Sequence, residues 1–368
     1  MLNFLMLMLI PLLIAIGVLI AFKKKVTFLE FFGQIAVVAL VVLAGMGIAY
    51  WQGTTDIEVW NGEVTNKQSV KVSCSHSYKC NCYTTTSCSG SGKNRSCSTT
   101  EHCSTCYDHP YDVDWNVYAS TGETLSIDRI DRQGLGMPPR WGASFIGEPF
   151  SSSHSFTNYV MANPESVLIG SKGDMQRWGK LVPPYPGKIY DYYYHDPVVN
   201  MGVPGIDMKT WNWLFREANK KLGPAKQVNV VVLLVPTNDQ SYMLALKDAW
   251  LGGKKNDVIV VIGSPDGHAI AFADVLSWST NKAMAVDLKN RVLDAGTLDN
   301  RDGIQQAVTT VVRAEFVRMH MKDMKWLVRS FQPSGTVMII LFLLAVLVEG
   351  GLAWWTITND ITESNPGY

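Results

Sequence analysis

TVMIILFLLAVLVEGGLAWWT, residues 336–356, carries one ionisable side chain, Glu349. A bilayer core takes about 20 mostly apolar residues in helical form, so this run reads as a membrane span. Two similar runs stand at the other end of the chain, residues 4–22 and about 31–50. Between the second and third spans lies a long segment of soluble texture whose first part holds every cysteine. The fold class that follows is an α+β membrane-anchored protein with three transmembrane helices.

The first run has no basic residue before it and no small-x-small cleavage site after it; Lys23, Lys24 and Lys25 follow instead. It therefore reads as a retained helix paired with the second span, in which Pro11 is tolerable. The three lysines draw their turn to the cytoplasm, which puts the large loop outside. Arg318, Lys322, Lys325 and Arg329, before the third span, vote the other way, as does the acidic tail with Asp360 and Glu363. Long loops largely escape that rule, and crowded cysteines favour an oxidising compartment. The expected location is an integral membrane protein of an inner membrane with the large loop extracytoplasmic.

The 32 basic and 32 acidic residues cancel. With no net field and no basic tract, nothing recruits nucleic acid. The expected partners are the lipid bilayer, a protein of the envelope and a second copy of the chain.

Five regions emerge: a helical hairpin (1–51), a Cys-rich β module (52–135), an irregular Pro/Gly/Tyr-rich connector (136–207), an α/β domain with a juxtamembrane amphipathic helix (208–330), and a last span with a short tail (331–368). Within the β module, residues 57–60 and 70–72 suggest short strands, 111–118 alternates as a strand, and 125–128 looks like another. Residues 87–100, nearly all small and polar, read as a loop. From 208 onward, helices are expected over 211–222, 241–250, 280–293 and 303–328. The apolar runs 228–235 and 258–262 read as strands buried on both faces, and 270–273 as a third. This alternation calls for a sheet with helices on its faces.

A hydrophobic strand, a helix ending Ala249-Trp250, the turn from Gly252 through Asp257 and a second hydrophobic strand resemble the TPM domain. That resemblance implies a layered α/β domain outside the membrane with a C-terminal membrane helix. It also implies an alternative activity, as a divalent-cation binder or phosphatase, with Asp257, Asp274 and Asp287 nearest the expected acidic positions. The family's usual acidic pattern after the central strand is replaced here by His268-Ala269-Ile270-Ala271-Phe272-Ala273-Asp274, too few ligands for a hydrolytic metal site. The cysteine block, including Cys80-Asn81-Cys82, resembles membrane proteins of large tailed phages, which implies host-envelope remodelling, lysis control or superinfection exclusion. The residues themselves favour a non-catalytic protein that engages a partner.

Cys74, Cys80, Cys82, Cys88, Cys97, Cys103 and Cys106 admit two readings. Cys80-x-Cys82 and Cys103-x-x-Cys106 could offer four thiolates to zinc, with His76, His102 and His109 as further ligands. Alternatively, disulfides staple a module with little core; three bridges would leave one thiol over. Asp108, His109, Asp112 and Asp114 admit a cation such as calcium, although on a strand Asp112 and Asp114 would share a solvated face. The balance is for no bound cofactor. Ser75-His76 and Ser153-His154 lack a nucleophile elbow, and residues 170–174 read as a turn. Val317, Met321, Met324 and Val328 run beside Arg318, Lys322, Lys325 and Arg329 as apolar and basic stripes suited to a membrane surface. Glu349, beside Gly350-Gly351, suggests helix–helix packing.

Overall fold

The structure, a computed structural model, describes residues 2–90, 95–163 and 172–359, less the side chains of residues 2, 172–174 and 329–330. The expected turn at 170–174 falls mostly outside them, as do Asp360 and Glu363.

Helices α1 (Leu2–Ala21) and α2 (Phe28–Thr54) open the chain and α9 (Gly335–Asn359) closes it. All three are long and apolar enough to cross a membrane. Thr27 and Glu30 start α2 with a capping box, the Thr27 N–H donating to the Glu30 carboxylate at 2.7 Å. Leu7, Met8, Val38, Val42, Leu341 and Ala345 fill the centre of the bundle. The Gln34 amide donates to the Thr356 hydroxyl at 2.9 Å at one end, and Gly53 faces the Phe331 ring at the other. α2 and α9 are thus antiparallel, and the soluble part sits on the side opposite Lys23–Lys25.

α2 runs without a linker into β1 (Thr55–Val72). The lower half of β1 pairs antiparallel with β6 (Pro149–Thr157), and the upper half with β4 (Asp112–Ala119), which pairs with β5 (Thr124–Ile127). The two short strands expected at 57–60 and 70–72 are therefore one. The polar residues between them join the ladder because partners from distant sequence satisfy their backbone groups. Val64, Val117, Ile127 and Phe150 form the core of this sheet with Tyr193 from the connector.

Between β1 and β4 the chain makes a hairpin of β2 (Ser77–Ser89) and β3 (Ser96–Tyr107). Of the loop expected over 87–100, residues 87–89 and 96–100 are strand, and 91–94 lie outside the described residues. Threonine is a good strand former, and the pairing continues to Ser89 opposite Ser96.

The connector holds α3 (Pro139–Ala143), α4 (Lys172–Trp178) and a small ribbon of β7 (Ile189–Tyr190) and β8 (Tyr194–His195). A second sheet follows, in the order β12-β11-β10-β9. Its strands are β9 (Val198–Asn200), β10 (Asn229–Val235), β11 (Asp257–Gly263) and β12 (Phe272–Ser277). The first three are parallel and β12 is antiparallel. Every residue of β10 and β11 is buried. Val230, Val232 and Leu234 face the helices α5 (Met208–Lys226), α7 (Ala283–Asp294) and α8 (Arg301–Glu315). Val231, Leu233 and Val235 face α6 (Tyr242–Ala249) and Trp178 of the connector.

Two helix boundaries differ from expectation. α5 passes through Gly223-Pro224 and ends where Gln227, at φ 52°, donates its N–H to the Gly223 carbonyl at 2.7 Å. The helix expected over 303–328 stops at Glu315. Phe316 is buried in the domain core, and Val317 donates its N–H to the Ser279 hydroxyl while accepting from the Thr280 N–H. That exchange of bonds turns the chain away from the helix axis, and residues Met321–Ser330 continue as a 3-10 segment. The two interleaved stripes therefore do not lie on one α-helix.

Candidate functional site

Three disulfides ladder the hairpin in nested order, Cys80–Cys106, Cys82–Cys103 and Cys88–Cys97. Cys88 and Cys97 are directly opposite, and a bulge at Asn81, φ 47°, lets the outer two bridges, Cys80–Cys106 and Cys82–Cys103, follow each other closely. Almost every hairpin side chain is exposed, including Tyr78, Tyr83 and Tyr107. A lone two-stranded hairpin is marginal in water. Here covalent ties replace a hydrophobic core, each worth about 3 kcal/mol for loops of this length. The zinc reading of Cys80, Cys82, Cys103 and Cys106 gives way to these bridges, which leave no thiolate to donate.

The seventh cysteine, Cys74, is buried and unbridged at the root of the hairpin. Antiparallel pairing of β1 with β4 and of β2 with β3 brings the two chain crossings together there. Cys74 and His76 come from the entering strand, His109 and Asp112 from the leaving one. One ligand atom from each of the four lies within 4.8 Å of all the others. Cys74 Sγ is 3.7 Å from His109 Nδ1, and His109 Nδ1 is 3.4 Å from Asp112 Oδ1. His76 Nδ1 is 3.8 Å from the other Asp112 oxygen. The expectation of a solvated Asp112 is corrected: the side chain is fully buried. Its Oδ2 accepts from the Ser75 N–H at 2.9 Å and from Arg129 Nη1 at 2.7 Å, and Arg129 also clamps Asp114. The Ser75 amide above all, helped by the Arg129 guanidinium, holds this carboxyl well below the ordinary carboxylate range. Among the described residues Oδ1 makes no hydrogen bond of good geometry; its neighbour is His109 Nδ1. An open cleft of ≈ 450 Å³ bordered by Cys74, Tyr107 and His109 reaches the cluster from solvent. His102, grouped with the others in the sequence, instead lies along the hairpin, 3.0 Å from Thr85 Oγ1.

The acidic residues of the α/β domain do not converge. Among the described residues, groups of three or more ligand side chains gather at only two places, the root cluster and Cys82-Glu101-Cys103, whose cysteines are bridged. Asp257 is fully buried at the start of β11 and accepts from the Tyr185 hydroxyl at 2.8 Å, the Asn229 amide at 2.9 Å and the Lys254 N–H at 2.7 Å. Burial pushes its carboxyl up to about 6 against the pull of those donors. It closes a chain of bonds between the two sheets: Ser151 donates to Asn61 at 2.7 Å, Asn61 to Asn229 at 2.9 Å, and Asn229 to Asp257. Asp274 accepts from Gln240 at 2.8 Å on β12, and Asp287 from Arg291 at 3.0 Å on α7.

Ser152, rather than Ser153, approaches His154, at 3.2 Å, but Glu123 contacts the same ring nitrogen at 2.6 Å. A catalytic triad needs the nucleophile and the orienting acid on different nitrogens of the histidine base, so this trio is not one. Arg318 is held within the domain, donating to Gln227 Oε1 at 2.6 Å and pairing with Glu58. Lys322, Lys325 and Trp326 are exposed just before α9; the Arg329 side chain lies outside the described ones. Glu349 is fully buried inside the bundle with neither carboxylate oxygen hydrogen-bonded. Among the described residues, nothing lies within 4 Å of a Cβ added at Gly350 or Gly351, so neither packs against another described element.

Comparison with protein families, with curated proteins and with solved structures finds no match to this chain. Its three membrane-capable helices and three disulfides describe a membrane protein with an oxidised extracytoplasmic domain.

Proposed function

We propose that this protein presents its disulfide-laddered hairpin to a partner protein in the extracytoplasmic space of a cell envelope. The observation that carries it is the hairpin itself: two strands of Ser, Thr and exposed Tyr stand out from the β1 sheet, stiffened by three covalent ties rather than by a core. Stiffness without burial does nothing for the protein's own core. It does lower the ordering cost of binding, and tyrosines on a fixed frame supply contact area at little entropic cost. α2 passes directly into β1, whose far end leads into the hairpin, so a span and the hairpin are joined by one continuous run of strand. Lys322, Lys325 and Trp326 suit the headgroup layer beneath the domain. The resemblance of the cysteine block to phage membrane proteins would set this work in a host inner membrane, as envelope remodelling, lysis control or superinfection exclusion.

The test is photo-crosslinking in cells from positions 83 and 86 on the hairpin and from the exposed position 286 on α7. A discrete adduct from the hairpin positions alone, lost when Cys88 and Cys97 are both changed to Ser, supports the proposal. No adduct, or the same adducts from position 286, ends it.

A further inference from the structure

We infer that Cys74, His76, His109 and Asp112 form a structural zinc site that locks the root of the hairpin, independently of whatever the hairpin binds. Zinc in structural sites is tetrahedral, with bonds of about 2.0–2.3 Å to nitrogen, oxygen and sulfur. Ligand atoms around such an ion therefore stand about 3.3–3.8 Å apart. The 3.7 Å between Cys74 Sγ and His109 Nδ1 and the 3.4 Å between His109 Nδ1 and Asp112 Oδ1 are edges of that size.

The second observation is the buried carboxylate. Asp112 is fully buried, its Oδ2 is held by Ser75 and Arg129, and its Oδ1 faces the cluster, 3.4 Å from His109 Nδ1 and, among the described residues, without a hydrogen bond of good geometry. A carboxyl oxygen that lacks a hydrogen bond inside a protein is costly; a cation at this point removes that cost. The division of labour is the one metal-bound carboxylates show, one oxygen on the ion and the other fixed by outer hydrogen bonds. One thiolate, one carboxylate and two neutral imidazoles also leave the site electrically neutral around a divalent ion. A thiolate with imidazoles selects zinc over calcium or magnesium. The cleft beside Cys74 and His109 provides an entry path. The lone cysteine is thus the sulfur ligand of the site and no remainder of the pairing.

The experiment uses the full chain purified in detergent without reductant, so that the six hairpin cysteines stay bridged and offer no thiolate. Metal analysis should find about one zinc per chain, and cobalt substitution should give a thiolate-to-cobalt charge-transfer band. Cys74→Ser should abolish the band and lower zinc occupancy at least tenfold. His76→Ala, at a position partly open to solvent, should lower it similarly without unfolding the sheet. His102→Ala should leave both readouts unchanged. In the wild type, Cys74 should react with a thiol reagent only after a chelator is added. Absence of zinc from the wild type, binding of copper or iron in its place, a cobalt spectrum without the thiolate band, or Cys74 reactivity indifferent to chelator would each overturn the assignment.

Discussion

Replacing Asp257 by Ala probes the bond network between the two sheets, and the structure sets its size. Three donors lose their acceptor, the Tyr185 hydroxyl, the Asn229 amide and the Lys254 N–H. Each abandoned donor costs about 1–3 kcal/mol, or roughly 6 kcal/mol in all. Against that, the wild type keeps a charge where burial opposes it: the carboxyl moves from 3.8 to about 6, which amounts to roughly 3 kcal/mol at neutral pH. The net loss at pH 7 is therefore about 3 kcal/mol. At an unfolding entropy of about 2.1 cal/mol/K per residue, the roughly 280-residue soluble part should lose about 5 °C of Tm. Between the unfolded and folded values the native state holds the extra proton, so wild-type stability falls as pH rises from about 4 through about 6. The alanine variant lacks that slope. The gap between the two should widen from about 3 kcal/mol at pH 7 toward about 6 at pH 4. Thermal unfolding of both chains in detergent across that range reads the effect. A gap that narrows on acidification, or a Tm change under about 2 °C at pH 7, refutes the reasoning.

Two further substitutions have signs opposite to ordinary expectation. Gly223→Ala in α5 would usually gain up to about 1 kcal/mol, but its Cβ would lie 2.0 Å from the Asn61 carbonyl oxygen. It should separate α5 from β1 and lower Tm; a higher Tm contradicts the packing described. Glu349→Leu removes a buried carboxyl without a hydrogen bond from the bundle and should make the helices more resistant to SDS unfolding, by about 2–3 kcal/mol on the insertion scale. Weaker resistance would mean that Glu349 has a partner.

Legibility in the sequence follows the range of the interactions involved. The spans and the strands β10 and β11 are written in uninterrupted apolar runs, so local composition is enough. The middle of β1 is polar, and only β4 and β6, far along the chain, make it strand. The bend at Phe316 depends on Ser279 and Thr280, which no helical periodicity can reveal. The same holds for the site. Cysteine crowding announced disulfides, while six paired cysteines admit 15 connectivities and only the hairpin register selects the nested one. All four members of the root cluster are candidate ligands in the sequence, but in separate groups, because its halves, Cys74-x-His76 and His109-x-x-Asp112, flank the hairpin and meet only when it closes. The signal that was there is the odd cysteine beside a histidine, at the foot of the segment the others staple.

The most direct test of an oxidised, membrane-held extracytoplasmic domain is a thiol map of the chain in its own membranes. Sealed cells or membranes with the extracytoplasmic face outward are treated with a membrane-impermeant alkylating reagent, digested without reductant, and the peptides are weighed. The structure requires linked peptides for Cys80–Cys106, Cys82–Cys103 and Cys88–Cys97, with Cys74 alone unbridged. Recovery of the six hairpin cysteines as free thiols shielded from the reagent would place the domain in a reducing compartment and contradict the account.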